Sequence, residues 1–167
     1  VRATIFPLAL LGLALGLGGC GPGSSRTDER LTRDGELVAL SGGQGGAAKA
    51  CFSCHGLDGA GDGISTPRLA GLDAGYLRKQ LDDYAVGLRH DPVMSPIAKP
   101  LSGPARQAVA TYYANLPSPV QPKSTASKIP PTAWLRRGCA SCHGEQGQGV
   151  GAGDPALSSQ PAAYTVE

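Results

Sequence analysis

The sequence has 167 residues, 25 of them Gly and 14 Pro, with 5% aromatic side chains and a formal charge of +2. That length allows one domain or two small ones, and the Gly/Pro content with almost no β-branched runs argues against a sandwich or barrel core. At 41% hydrophobic and 17% charged residues the composition is not that of a disordered chain. Lys/Arg clustering stops at the pair Arg136-Arg137, too little for a nucleic-acid footprint, and no Gly-rich loop follows a strand run to cradle a nucleotide. A chain so poor in large apolar side chains needs something besides side chains to fill its core.

From the N-terminus, Ile5 to Gly18 form an apolar run headed by Arg2. It is too short to span a bilayer as a helix and suits the apolar stretch of an export signal. The run ends in Leu17-Gly18-Gly19-Cys20, which resembles the bacterial lipobox. The resemblance implies removal of residues 1–19 as a signal peptide, lipidation at Cys20, and a periplasmic protein anchored by lipid to a bacterial membrane. An uncleaved anchor and a soluble exported protein cut nearby are the alternatives. Val1 in place of Met points to an alternative start codon or a missing beginning. Residues 20–40, opening with the Gly/Ser/charge-rich stretch 21–33, read as a flexible tether.

Setting Cys20 aside, the cysteines form two pairs, Cys51-Phe52-Ser53-Cys54-His55 and Cys139-Ala140-Ser141-Cys142-His143. Cys-x-x-Cys-His is the attachment pattern of haem c. Two thiols must reach the vinyl groups on one porphyrin edge while the next residue offers an imidazole to iron; positions i, i+3 and i+4 share a helix face, so a helix along the haem edge does both. A zinc ribbon, a thioredoxin-like redox pair and structural disulfides are the competing readings. Ribbon pairs are usually about 15–20 residues apart, far closer than Cys54 and Cys139. The redox pair lacks a βαβ context, and disulfides would not need a histidine at the same offset twice. The expectation is two covalently bound haem c groups held by Cys51, Cys54, Cys139 and Cys142, with His55 and His143 on the irons.

Between the motifs, a short helix from about Gly45 is expected to carry Cys51 to His55 on its last turn. Leu77, Leu81, Tyr84 and Leu88 make one stripe of a helix from Asp73 to Leu88, with Asp73 as N-cap and Gly87 near its end. A second stripe is Ala105, Val109, Tyr112 and Leu116, capped by Ser102 and stopped by Pro117. Asp82-Asp83 reads as a solvated helix face. Residues 118–131, following Pro117 and holding Pro119, Pro122, Pro130 and Pro131, read as a semi-rigid linker between a first unit, 41–117, and a second, 132–167. Trp134 to Arg137 then open the helix that bears the second motif.

A shift of 88 positions aligns the two motifs without a gap. Residues 51–76 and 139–164 share 12 identities in 26 places, where chance gives about two; the unit is duplicated. The shared Gly56, Gly59, Gly61 and Gly63 allow positive φ and tight folding past the haem edge. Pro67 follows His55 by twelve residues, and Pro155 follows His143 by twelve. The run Cys51 to Gly71 resembles the pattern of the dihaem cytochrome c4 family of class I cytochromes c, and the resemblance covers about residues 41–167. It implies an all-α fold of tandem class I cytochrome c domains, the second incomplete in this chain. It implies too that the carbonyls of Pro67 and Pro155 take the Nδ1–H of His55 and His143, fixing tautomer and ring orientation. In that fold the small residues Gly45 to Ala48 let the last helix cross closely.

Met94 is the sole methionine. Beyond one complete helix after His55 and flanked by Pro92 and Pro96, it matches the family's distal loop, so it is assigned to the first iron. His90, the competitor, reads as a solvated loop histidine. The 88-residue shift puts the partner of Met94 at about position 182, beyond Glu167; a truncated sequence is expected, with an open distal face on the second haem as the alternative.

The leading functional expectation is a dihaem electron carrier, not an enzyme, passing single electrons from a quinol-oxidising complex or dehydrogenase to a terminal oxidase. No nucleic-acid partner or small-molecule substrate is expected. The alternatives are a haem-bearing electron-transfer subunit of a larger dehydrogenase complex and a dihaem peroxidase-type enzyme using an open second iron. Tyr76, Arg68 and Arg89 are candidate contacts for the haem propionates.

Overall fold

The structure is a computed structural model and describes residues 26–118 and 138–165. Residues 1–19, read above as a signal peptide, Cys20, most of the Pro-rich segment and Trp134 to Arg137 lie outside the described residues. Seven α-helices are present among the latter: α1 (Arg26–Ser41), α2 (Phe52–His55), α3 (Ala74–Val86), α4 (Met94–Ala98), α5 (Gly103–Asn115), α6 (Cys139–His143) and α7 (Ala162–Thr165). They contain no strand, only an isolated bridge between Gly151 and Asp154.

The first departure from expectation is α1. Residues read as the distal part of a tether form a 16-residue helix. Its inward positions are Leu31, Gly35, Val38 and Ala39, a helical spacing in which Gly35 has no side chain to register as apolar. Gly35 is the reason the helix fits: a Cβ there would sit 2.1 Å from the Ala108 carbonyl oxygen and 2.7 Å from Tyr112 Cβ of α5. The close crossing therefore falls at Gly35, not at Gly45 to Ala48. Those residues form two 3₁₀ turns, Gly43–Gly45 and Ala47–Lys49, and Ala50 is extended. The expected helix into the first motif is thus broken, and Cys51 to His55 sit on their own short turn.

Helix α5 lies between α1 and α3, so it is buried on two sides. Its buried set is Ala108, Val109, Ala110 and Tyr113; of the predicted stripe only Val109 belongs to it, because a single-stripe reading suits a helix with one covered face. Ser102 caps it, accepting from Ala105 N at 3.3 Å. Helix α3 begins as expected, with the Asp73 carboxylate accepting from Tyr76 N at 2.9 Å. It stops at Gly87 in the left-handed region, φ 81°, so Leu88 falls past the helix and is 82% exposed. Asp82 is no mere solvated residue: Arg78 Nε (2.7 Å) on its own helix and Arg106 Nε (2.6 Å) on α5 both donate to it.

The core joins Ala39, Leu72, Leu77, Val109, Ala110 and Tyr113. It is built largely from small residues, while Leu57, Ile64, Val86, Leu88 and Val93 stand exposed.

Candidate functional site

The two motifs sit on α2 and α6, and none of their four cysteines is in a disulfide. Each helix is one turn long and ends in a glycine of the same conformation, Gly56 and Gly144, both φ 80°, ψ 159°. Only glycine takes that backbone freely, and it turns the chain back over the histidine.

The loops beyond these glycines match bond for bond. Gly61 N donates to the His55 carbonyl at 2.9 Å, and Gly149 N to that of His143 at 2.8 Å. The Gly59 carbonyl receives the amides of Leu69 and Ala70, as the Gly147 carbonyl receives those of Leu157 and Ser158. This double clamp brings the prolines home. His55 Nδ1 lies 2.9 Å from the Pro67 carbonyl oxygen, and His143 Nδ1 lies 2.8 Å from that of Pro155. With Nδ1–H donating, each ring keeps Nε2 as a lone-pair donor, the tautomer a metal needs.

His55 is 5% exposed. Burial lowers its pKa, opposed by the Pro67 hydrogen bond and the charge of Asp62, so the imidazole stays neutral, the ligating form. Burial also pushes the Cys51 thiol up to about 11. The loop before Pro67 is knotted on Asp62, whose carboxylate accepts from Ile64, Ser65 and Thr66 N, each at 2.8 Å. These bonds hold its pKa well below the usual carboxylate range.

Met94 opens α4 and is half-buried. Its amide donates to Asp91 Oδ1 at 2.6 Å, as does that of Val93 at 2.8 Å, while Asp91 N donates to Ser95 Oγ at 3.1 Å. Asp91 is not among the residues the sequence pattern singles out, though its signal is there: an acidic residue three before Met94 with a serine one after it is a reciprocal cap. His90 is exposed beside it.

The three candidate propionate contacts are engaged elsewhere. Arg68, 3% exposed, donates through Nη1 to the Ala70 carbonyl and Ser118 Oγ, and through Nη2 to the Ser158 carbonyl. Arg89 lies over the rings of Tyr84 and Tyr164 and donates to Tyr164 Oη at 3.3 Å. Burial and the neighbouring Tyr164, its repeat partner, push the Tyr76 phenol well above its ordinary range. Among the described residues no group of three or more His, Cys, Asp and Glu is arranged to hold a bare metal ion.

The donor set fits haem c. Each turn offers two cysteines three residues apart, neither of them in a disulfide, and an imidazole whose Nδ1 is already committed to a proline carbonyl. A core of alanines beside exposed Leu57, Ile64, Val86, Leu88 and Val93 suits a chain whose interior is completed by a large apolar group.

A family profile for cytochrome c matches residues 41–116 and 132–167. The chain is 42% identical over 143 residues to a thiosulfate dehydrogenase electron acceptor of Stutzerimonas stutzeri, covering 78% of this chain and 66% of that one. It is 36% identical over 145 residues to a cytochrome c4 of Thiocapsa roseopersicina, covering 74% and 71%. It therefore spans about two thirds of the length of these relatives. Among solved structures it resembles the thiosulfate dehydrogenase TsdBA of Marichromatium purpuratum, with TM-score 0.62 and 36% identity over 80% of this chain and 31% of that one. Two repeated haem motifs on an all-helical frame, matched by these relatives, place the chain in the cytochrome c family as a dihaem, cytochrome c4-like protein with covalently bound haem c.

Proposed function

We propose that this chain is an electron-transfer protein that accepts single electrons from a dehydrogenase, specifically one oxidising thiosulfate, and passes them to a second redox protein. The observation that carries the reading is the repeated bond from His Nδ1 to a proline carbonyl, which prepares two imidazoles identically. When bound, haem c supplies a ferric/ferrous couple whose potential is set by axial ligands and their hydrogen bonds.

The chain's own residues do the rest. Cys51 and Cys54 hold the first group by thioether bonds, and Cys139 and Cys142 hold the second. His55 and His143 present Nε2 to iron, and Pro67 and Pro155 keep those rings from turning. Met94, its backbone pinned by Asp91, would offer its thioether to the first iron. Cys20 carries the lipid that keeps the protein on the periplasmic face of a bacterial membrane. A carrier needs no substrate site, so the protein is not itself an enzyme. The choice of a thiosulfate-oxidising donor is supported by the 42%-identical electron acceptor.

One observation favours a second reading. The solved TsdBA chain is about three times as long as the part this chain matches, so a haem-bearing subunit of a dehydrogenase complex is the variant to separate from a free carrier.

The test mixes the purified dihaem protein with a thiosulfate dehydrogenase and thiosulfate and follows reduced-haem absorbance. Reduction of both haems within the enzyme's turnover time is expected. No reduction by that enzyme, alongside ready reduction by a quinol-oxidising complex, would refute the donor assignment. Copurification in fixed ratio with a catalytic chain selects the subunit form. Rapid carbon monoxide binding by the reduced protein would replace the carrier reading with a peroxidase-type one.

A further inference from the structure

The two copies of the repeat differ where they touch each other. The 88-residue shift pairs Arg68 with Ala156, Gly71 with Ser159 and Leu72 with Gln160. In the structure the Gln160 side chain lies along the peptide of Arg68. Arg68 N–H donates to Gln160 Oε1 at 2.9 Å, and Gln160 Nε2 donates to the Arg68 carbonyl at 3.0 Å. The Arg68 guanidinium returns the contact, donating to the Ser158 carbonyl at 3.3 Å. Between those two second-unit residues stands Ser159 at φ 66°, the one non-glycine with positive φ among the described residues. Its repeat partner is Gly71, φ 69°, which adopts that backbone without penalty. Strain of this kind persists where surrounding contacts enforce it.

The peptide that Gln160 grips is the Pro67–Arg68 peptide. Its N–H end donates to the second unit, and its C=O end accepts Nδ1–H of His55 at 2.9 Å. A peptide is one planar, conjugated unit. An acceptor on its N–H polarises its carbonyl, and chained hydrogen bonds strengthen one another by roughly 10–30%. The relay therefore runs from Gln160 Oε1 through a single peptide to the imidazole of the first iron. In the second unit the corresponding peptide is Pro155–Ala156, and the residue at the place of Gln160 is Leu72, which has no acceptor to offer.

We propose that Gln160 is a positioning residue for His55: by accepting from the Pro67–Arg68 peptide, the second unit strengthens the hydrogen bond on the first haem's ligand and lowers that haem's reduction potential. A firmer Nδ1–H bond makes the imidazole a stronger donor to iron and favours the ferric state. Docking of the two units thus sets their haems apart in potential, which gives electron flow through the pair a direction. The consequence for flow rests on the electron-transfer reading above; the relay itself does not.

The test compares wild type with Gln160→Leu and Gln160→Glu as proteins carrying both haems. Redox titration and the proton resonance of His55 Nδ1–H in the reduced state are followed, together with amide exchange at Arg68. Gln160→Leu is expected to raise the first haem's potential and leave the second unchanged. It should also move the His55 Nδ1–H resonance upfield and speed Arg68 exchange about tenfold or more, the loss of one protecting bond of about 1.4 kcal/mol. Gln160→Glu keeps an acceptor on Arg68 N–H, so it should hold the first potential at or below wild type. Should Gln160→Leu fail to incorporate haem, the Gln160→Glu comparison decides alone. An unmoved first potential, both potentials drifting together, or Gln160→Glu matching Gln160→Leu would overturn the relay. None of these readouts depends on which enzyme reduces the protein.

Discussion

At the scale of single residues, each proposed ligand is governed by a neighbour that never touches iron. Pro67 does this for His55 and Asp91 for Met94. The Asp91 carboxylate takes two amides, those of Val93 and Met94, so it fixes where the thioether begins. Removing a cap of this kind costs about 0.5–2 kcal/mol of local stability. Asp91→Ala is therefore expected to loosen the α4 turn before the rest of the protein melts. The far-red charge-transfer band of methionine-bound ferric haem reports on that turn. It should disappear at a lower temperature in Asp91→Ala than in wild type, recover in Asp91→Asn, and be missing altogether in Met94→Ala. A band that survives in Met94→Ala would remove Met94 from the iron. The prolines are legible in the sequence because their offset from histidine is local and repeats. Asp91 is equally local, but Pro92 directly after it and Pro96 beyond Met94 mask the cap.

At the scale of elements, the sequence shows most clearly what is capped and least clearly what is crossed. Asp73 and Ser102 announce α3 and α5, and the structure starts both helices there. Helix α1 gives no such signal. Its buried positions are Gly35 and Ala39, so its inward stripe carries little hydrophobicity, and the charged residues on its outer face resemble those of a linker. The contact it makes is one of backbone on backbone, which no apolar pattern records. Gly35→Ala separates the two readings by sign. In a tether or an exposed helix, alanine would stabilise by up to about 1 kcal/mol. Here its Cβ would meet the Ala108 carbonyl at 2.1 Å and push α1 off α5, destabilising by about 1–3 kcal/mol. Urea unfolding of the holoprotein measures the difference, and a stabilised Gly35→Ala would mean that α1 does not seat at this crossing. The same limit explains the missed face of α5, because burial between two neighbours leaves no single stripe to find.

At the scale of the whole molecule, the repeat is visible in the sequence but its asymmetry is not. Arg68 and Gln160 are 92 positions apart, and nothing local to either shows that they meet. What composition does show is the shortage of large apolar side chains, and the structure gives that shortage a place. Among the described residues no large side chain is fully buried, alanine supplies half of the buried apolar residues, and Ile64, Val86, Leu88 and Val93 are left outward. A core of this kind gains little from burial, since each methyl contributes far less than a leucine or phenylalanine side chain. Holding α1, α3 and α5 together against chain entropy then depends on the porphyrins as apolar mass and as covalent staples. The protein with Cys51, Cys54, Cys139 and Cys142 all changed to serine should accordingly be largely unfolded. Far-ultraviolet circular dichroism is expected to lose more than half of the holoprotein's helical signal, and amide exchange in α5 should approach that of an open chain. Changing only Cys139 and Cys142 makes the sharper comparison. Because α1, α3 and α5 belong to the first unit, their helices should survive that change, while the protection of Arg68 N–H, which depends on Gln160, should be lost. A native-like spectrum from the four-serine protein would show that the side chains alone suffice, and that the haems are cargo rather than core.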